Sequence, residues 1–150
     1  QYHERVPFVK ELSEVVQRRV KDNKSSGSIR SLLGRKCRFD LWEPNLFVAS
    51  RALPREEALH EYGDNIRRAY VYRSLNRLIQ ASAADMCKQS MVNLFHEGVV
   101  PLLQVHDELC FSVIDVEEAR QYAEIMEQAV LLEIPNRCDI KIGPSWGEAS

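Results

Sequence analysis

Apolar residues at Val6, Val9, Leu12, Val15, Val16 and Val20 recur every three or four positions, with Glu11, Glu14, Gln17, Arg18 and Lys21 between them. This spacing predicts an amphipathic helix over residues 6–21, ended by the polar breaker cluster at 23–28. Two short apolar stretches around Gly34 predict a β-hairpin over 29–39, made strongly basic by Arg30, Arg35, Lys36 and Arg38. Residues 40–64 contain two prolines and little periodicity, and read as a connecting excursion with one short helix over 55–62.

A helical pattern follows over 65–96, with small residues at 81–84 that permit a bend and close packing, and Gly98 as its stop. Two β-rich apolar runs, 99–105 and 109–114, predict buried strands joined by the polar His106, Asp107 and Glu108. Over 116–132, Ala119, Tyr122, Ala123, Met126, Ala129 and Val130 share a helix face, and 138–142 alternates as a last strand. This order predicts an α+β fold of one domain, with helices on one face of an antiparallel sheet. No internal repeat or low-complexity tract is present.

Composition narrows the class. With 45% apolar and 28% charged side chains over 150 residues, the chain is an ordinary globular one, able to build a core. No run approaches the about 18 apolar residues of a membrane span, so no membrane partner is expected. The first residues lack a signal-peptide layout and a Met, which suggests a trimmed or excised chain. Cys37, Cys87, Cys110 and Cys138 show no metal-knuckle spacing. Reduced thiols in a cytoplasmic protein are therefore expected, with disulfides or zinc the alternative. Net charge is more telling when divided. Residues 1–77 hold 16 Lys and Arg against 10 Asp and Glu, and residues 78–150 hold 4 against 12, giving +6 and −8. A basic half suits phosphates and an acidic half concentrates cations, although solvated faces give the same imbalance.

Two constellations carry chemistry. Adjacent carboxylates at Asp107 and Glu108, between apolar runs, need solvent, donors or a cation. At a hairpin tip they suit Mg²⁺, which takes one or two carboxylates plus substrate phosphates; a solvated turn is the alternative. On the long helix, at about 100° per residue, Arg73, Asn76, Arg77 and Gln80 fall together, opposite Leu75, Leu78, Ile79, Ser82 and Met86. Amides suit base edges and arginines suit phosphates, while a solvated polar face is again the alternative. For Arg30, Arg35 and Lys36 the same choice stands between phosphate contact and a solvated turn. His3, His60 and His96 read as surface histidines, and Trp42 and Trp146 as packing residues.

The string Leu75-Asn76-Arg77-Leu78-Ile79-Gln80-Ala81-Ser82-Ala83-Ala84-Asp85, followed by Leu103-Gln104-Val105-His106-Asp107-Glu108-Leu109, closely resembles family A (DNA polymerase I type) DNA polymerases. So does the ending Cys138-Asp139-Ile140-Lys141-Ile142-Gly143-Pro144-Ser145-Trp146-Gly147-Glu148. The resemblance runs over nearly the whole chain and is nearest in look to phage-type or organellar members. It implies the C-terminal part of an antiparallel palm, with a metal-binding hairpin packed against the long helix. Asp107 would bind both catalytic metal ions, Glu108 would assist, and His106 would lie near the primer terminus. Asn76 and Gln80 would track the minor groove of primer–template DNA. The implied reaction joins a deoxynucleoside triphosphate to a primer 3′-hydroxyl with two Mg²⁺ ions, one activating the hydroxyl and one neutralising the departing pyrophosphate.

The sequence also departs from the family. The second essential Asp and the fingers helix with its Lys and Tyr are not in these residues, nor is an exonuclease region. Ala81 stands where the family has Gly, and its methyl would cost about 1–3 kcal/mol in a tight site. The favoured expectation is therefore a fragment or split half, inactive as the isolated chain and completed by an upstream palm and fingers half. A large apolar face would then be uncovered, so self-association is expected. The alternatives are a non-catalytic nucleic-acid-binding module and a remnant with an assembly role.

Overall fold

The computed structural model describes residues 7–22, 26–46 and 50–149. His3, the helix start expected at Val6 and the breaker residues 23–25 lie outside the described residues. The chain forms two compact units, Gln1–Ser82 and Ala83–Ser150. Residues 78–82 carry no charge, so the basic and acidic halves of the sequence coincide with these units. No helix is long and apolar enough to cross a membrane among the described residues.

In the first unit, helix α1 (Pro7–Lys21) ends in Arg18, Arg19 and Lys21, cations that complement the carbonyl end of a helix. Val16 and Val20 form a core with Ile29 and Phe39, against which Cys37, Val71 and Leu78 pack. Leu12 and Val15 stay exposed, so the stripe is buried toward the helix C-terminus. The expected basic hairpin is present as β1 (Ser28–Arg30) and β2 (Lys36–Arg38), with Ile29 opposite Cys37. Gly34 (φ 86°) turns its loop in a conformation that disfavours a side chain.

The excursion over 40–64 is more ordered than its sequence suggests. Strands β3 (Leu41–Pro44) and β4 (Leu53–Pro54) pair antiparallel, and helix α2 (Arg55–Tyr62) follows at the expected bounds. Strand β5 (Ile66–Arg68) pairs with the other edge of β3, giving the order β4-β3-β5. Trp42, Leu53 and Ala58 form its core, with Tyr62 and Ile66 packed against them. Pro44 and Pro54 hide these strands from pattern reading, yet both stand at strand ends, where a missing N–H does little harm.

The helix expected over 65–96 starts at Ser74. Its first residues are taken by β5, where Arg67 donates to Glu43 at 2.9 Å. Tyr70, in the left-handed region (φ 59°), then breaks the path before a 3-10 turn, Val71–Arg73. Helix α3 (Ser74–His96) runs unbroken through residues 81–84 and stops at Gly98 (φ 80°).

In the second unit, strands β6 (Leu103–Val105) and β7 (Glu108–Cys110) form an antiparallel hairpin shorter than expected. The expectation of buried strands is corrected: Leu102 and Leu103 are exposed. Helix α4 (Val116–Glu127) is capped by Asp115, whose carboxylate accepts from the Glu118 N–H at 2.9 Å. Ser90 donates to the Met126 carbonyl at 3.4 Å, and the Phe111 and Tyr122 rings meet at 5.1 Å, tying α3 and the end of the hairpin to α4. Leu94 and Ala123 are buried.

Three further expectations fail here. Helix α4 ends at Glu127 rather than 132, leaving Leu131 exposed. Residues 138–142 form no strand: the Cys138 N–H goes to the Glu127 carboxylate at 2.8 Å, beside an Arg137–Glu127 ion pair at 3.0 Å. Trp146, expected to pack, is largely exposed in a 3-10 turn, Trp146–Glu148. The fold is thus mixed α and β, with three small antiparallel sheets among the described residues rather than one continuous layer.

Candidate functional site

The polar triplet between the apolar runs folds as a two-residue hairpin loop. Val105 pairs with Glu108, so His106 and Asp107 alone make the turn and Glu108 opens β7. Such loops match the strand twist only with a positive φ at their first position, where Gly or Asn is usual. His106 occupies it at φ 55°, a left-handed conformation that costs a side-chain-bearing residue about 1–2 kcal/mol. His106, Asp107 and Glu108 are all exposed. Two acceptor-only carboxylates thus stand at adjacent positions of one tip, without an ion pair among the described residues.

Behind the turn lies Cys87 of α3. Gln104 donates through Nε2 to the Cys87 sulfur at 3.4 Å and to the His106 carbonyl at 3.2 Å, and the Cys87 thiol approaches that carbonyl at 4.0 Å. Burial pushes the Cys87 thiol pKa up; the Gln104 hydrogen bond pulls it down, and the Asp107 charge adds to the rise. Sequence reasoning assigned neither residue a role at the site. The available signal for Gln104 was its place in the 103–109 string, on β6 two positions before the turn residue His106.

The other candidate residues belong to the first unit. Asn76, Arg77 and Gln80 are exposed on α3, as the helical spacing predicts, but so is Ile79, which that spacing puts on the opposite apolar side. Arg77 donates to the Arg38 carbonyl at 2.9 Å and lies over the Phe39 ring at 4.8 Å. Arg73 precedes the helix; it donates to the Tyr72 hydroxyl at 3.0 Å and lies 5.0 Å over the Tyr70 ring. Arg30, Arg35 and Lys36 are exposed on the hairpin, where Arg30 closes the loop by donating to the Gly34 carbonyl at 2.8 Å.

Arg35 donates to the Ala81 carbonyl at 2.8 Å, and the Leu32 N–H donates to Ser82 Oγ at 3.0 Å. The hairpin loop is therefore docked on α3 at the position where Ala81 replaces the expected Gly. The Ala81 side chain is half-buried, and the helix is continuous around it. A cleft of about 590 Å³ lined by Asp40, Trp42, Arg55, Asp64 and Arg68, among others, holds none of the candidate residues.

All four cysteines are free and half-buried. No group of three or more His, Cys, Asp or Glu that could hold a metal ion occurs among the described residues. The Asp107–Glu108 tip still fits part of a Mg²⁺ site, because that ion takes one or two carboxylates and fills its other positions with water and phosphate.

A family model for DNA polymerase family A matches residues 1–148. A DNA-directed DNA polymerase of Pseudomonas phage M6 is 35% identical over 148 residues, covering 99% of this chain and 19% of that protein. The thermostable DNA polymerase I of Thermus filiformis is 32% identical over 141 residues, with coverages of 89% and 15%. DNA polymerase I of Bacillus caldotenax is 32% identical over 157 residues, with coverages of 99% and 16%. The chain spans less than a fifth of the length of each of these relatives.

Proposed function

Because the chain belongs to DNA polymerase family A, we propose that it is the C-terminal palm portion of a DNA-directed DNA polymerase. Its reaction is nucleotidyl transfer onto a primer 3′-hydroxyl, carried out with an upstream palm and fingers half in the same or a separate chain. The observation that supports this best is the β6–β7 hairpin, which presents Asp107 and Glu108 at an exposed tip through an otherwise unfavourable His106 conformation. Strain of that kind persists where the surroundings over-determine it, commonly at functional sites.

Asp107 is the metal ligand of this reading and Glu108 its neighbour. Two Mg²⁺ ions, when bound, supply charge neutralisation at the reacting phosphate. This chain's part is to hold an ion at Asp107 and to orient it through the hairpin. The second carboxylate comes from the upstream half. His106 faces the primer end, Asn76 and Gln80 take base edges of primer–template DNA, and Arg73, Arg77, Arg30, Arg35 and Lys36 take backbone phosphates. The deoxynucleoside triphosphate binds against the fingers of the upstream half.

The second reading is a non-catalytic nucleic-acid-binding or assembly module. It draws on the lack of a three-ligand group among the described residues, which a site completed from outside the chain accounts for equally.

Fluorescence anisotropy of a primer–template duplex, titrated at several salt concentrations, tests the nucleic-acid part. Asn76→Ala and Gln80→Ala are expected to weaken binding by about 1 kcal/mol each without changing the salt slope. Lys36→Ala is expected to lower the slope by about one phosphate contact. Duplex binding indifferent to all three would contradict the assignment.

A further inference from the structure

The Asp107 turn is held from behind by a closed set of polar contacts. A side-chain amide nitrogen carries two donors, and Gln104 places one on the Cys87 sulfur at 3.4 Å and the other on the His106 carbonyl at 3.2 Å. The Cys87 thiol approaches the same carbonyl at 4.0 Å, accepting from the amide while donating to the carbonyl. Helix α3, strand β6 and the turn are joined through these three groups. The carbonyl they share belongs to His106, the residue of the hairpin in the left-handed region.

That carbonyl is half of the peptide bond leading to Asp107. Turning this peptide would change ψ of His106 and φ of Asp107, and with the latter the direction of the Asp107 carboxylate. Fixing its oxygen with two donors opposes that rotation.

We propose that Gln104 is a positioning residue of the Asp107 site, which locks the His106–Asp107 peptide against Cys87 of helix α3 and so sets the direction of the metal-binding carboxylate. The inference rests on the reading of this turn as a metal ligand. Groups that orient metal ligands from behind typically change metal affinity about 10–100-fold when removed.

The test uses the chain combined with its upstream half. Mn²⁺ binding is followed by broadening of the His106, Asp107 and Glu108 amide resonances, and primer extension is titrated with Mg²⁺. Gln104→Leu, which keeps bulk but cannot donate, is expected to shift the His106 resonance. It should weaken Mn²⁺ binding about 10-fold and raise the Mg²⁺ midpoint about as much, leaving the nucleotide KM unchanged. Cys87→Ser, which retains a donor and an acceptor, is expected to keep wild-type metal binding. Should Gln104→Leu fail to fold, Gln104→Met, of similar length and charge without donors, is expected to give the same losses.

Wild-type metal affinity and an unmoved His106 resonance in a folded Gln104 variant would overturn the proposal. Asp107→Ala, measured alongside, separates the two levels. If it abolishes Mn²⁺ binding while the Gln104 variants do not weaken it, the positioning role alone fails. If Asp107→Ala binds Mn²⁺ as the wild type does, the metal reading of the turn fails and the positioning role with it.

Discussion

His106 shows how much one backbone angle decides. At φ 55° it turns the chain in two residues, which puts Asp107 at the tip and leaves Glu108 paired with Val105 in the sheet. Gly at position 106 would relieve about 1–2 kcal/mol of left-handed strain and lose somewhat less to unfolded-state entropy. His106→Gly is therefore expected to stabilise the second unit by up to about 1 kcal/mol in urea unfolding while lowering primer extension. A loss of stability would show that the imidazole makes contacts outweighing the strain. The sequence marks His106, Asp107 and Glu108 because three polar residues interrupt two apolar runs. It assigns Gln104 no role of its own, because that role depends on where α3 places Cys87, seventeen residues earlier in the chain and reached only through tertiary packing.

Elements with a clean local signal are legible, and those fixed by distant partners are not. Helix α2 has the expected bounds, and the basic hairpin turns at Gly34 as its composition requires. The start of α3 is misplaced by nine residues, because Ile66–Arg68 carries a helix-compatible pattern but is held extended by pairing with β3. Residues 138–142 alternate like a strand, yet the Cys138 N–H is taken by Glu127 instead of a ladder partner. Helix α4 also carries a pH dependence. The Tyr122 hydroxyl and the Ile114 N–H both donate to Glu118, holding its carboxyl below the ordinary value. With the native pKa depressed, this stabilisation is fully present above the unfolded carboxylate pKa of about 4.3 and is lost as pH falls through the lower native value. Urea midpoints measured from neutral pH into that acidic range are expected to fall less steeply in Glu118→Gln than in the wild type. Identical pH profiles would contradict this role for the Tyr122 and Ile114 contacts.

At the scale of the whole molecule, the charge division of +6 and −8 coincides with the two compact units. Basic and amide-bearing candidates gather in Gln1–Ser82, and the carboxylate turn in Ala83–Ser150. The second unit leaves Ile114 94%, Leu131 88% and Ile134 79% exposed, and exposed apolar side chains favour association where they form a continuous patch. The isolated chain is therefore expected to self-associate in concentration-dependent gel filtration, and an upstream half to suppress this. A strict monomer at high concentration would count against a missing partner. Family membership was legible from three motifs in order, whereas the division into three small sheets was not, since each depends on strands of two to four residues. The central claim is that Asp107 is a metal-binding carboxylate of a polymerase site completed from outside this chain. Primer extension with Mg²⁺ tests it most directly, comparing the chain alone, the chain with an upstream family A half carrying the other Asp and the fingers, and the same mixture with Asp107→Ala. Extension in the mixture alone, abolished by the substitution, is the result expected. Extension that survives Asp107→Ala, or none in the mixture while duplex binding is intact, would contradict it.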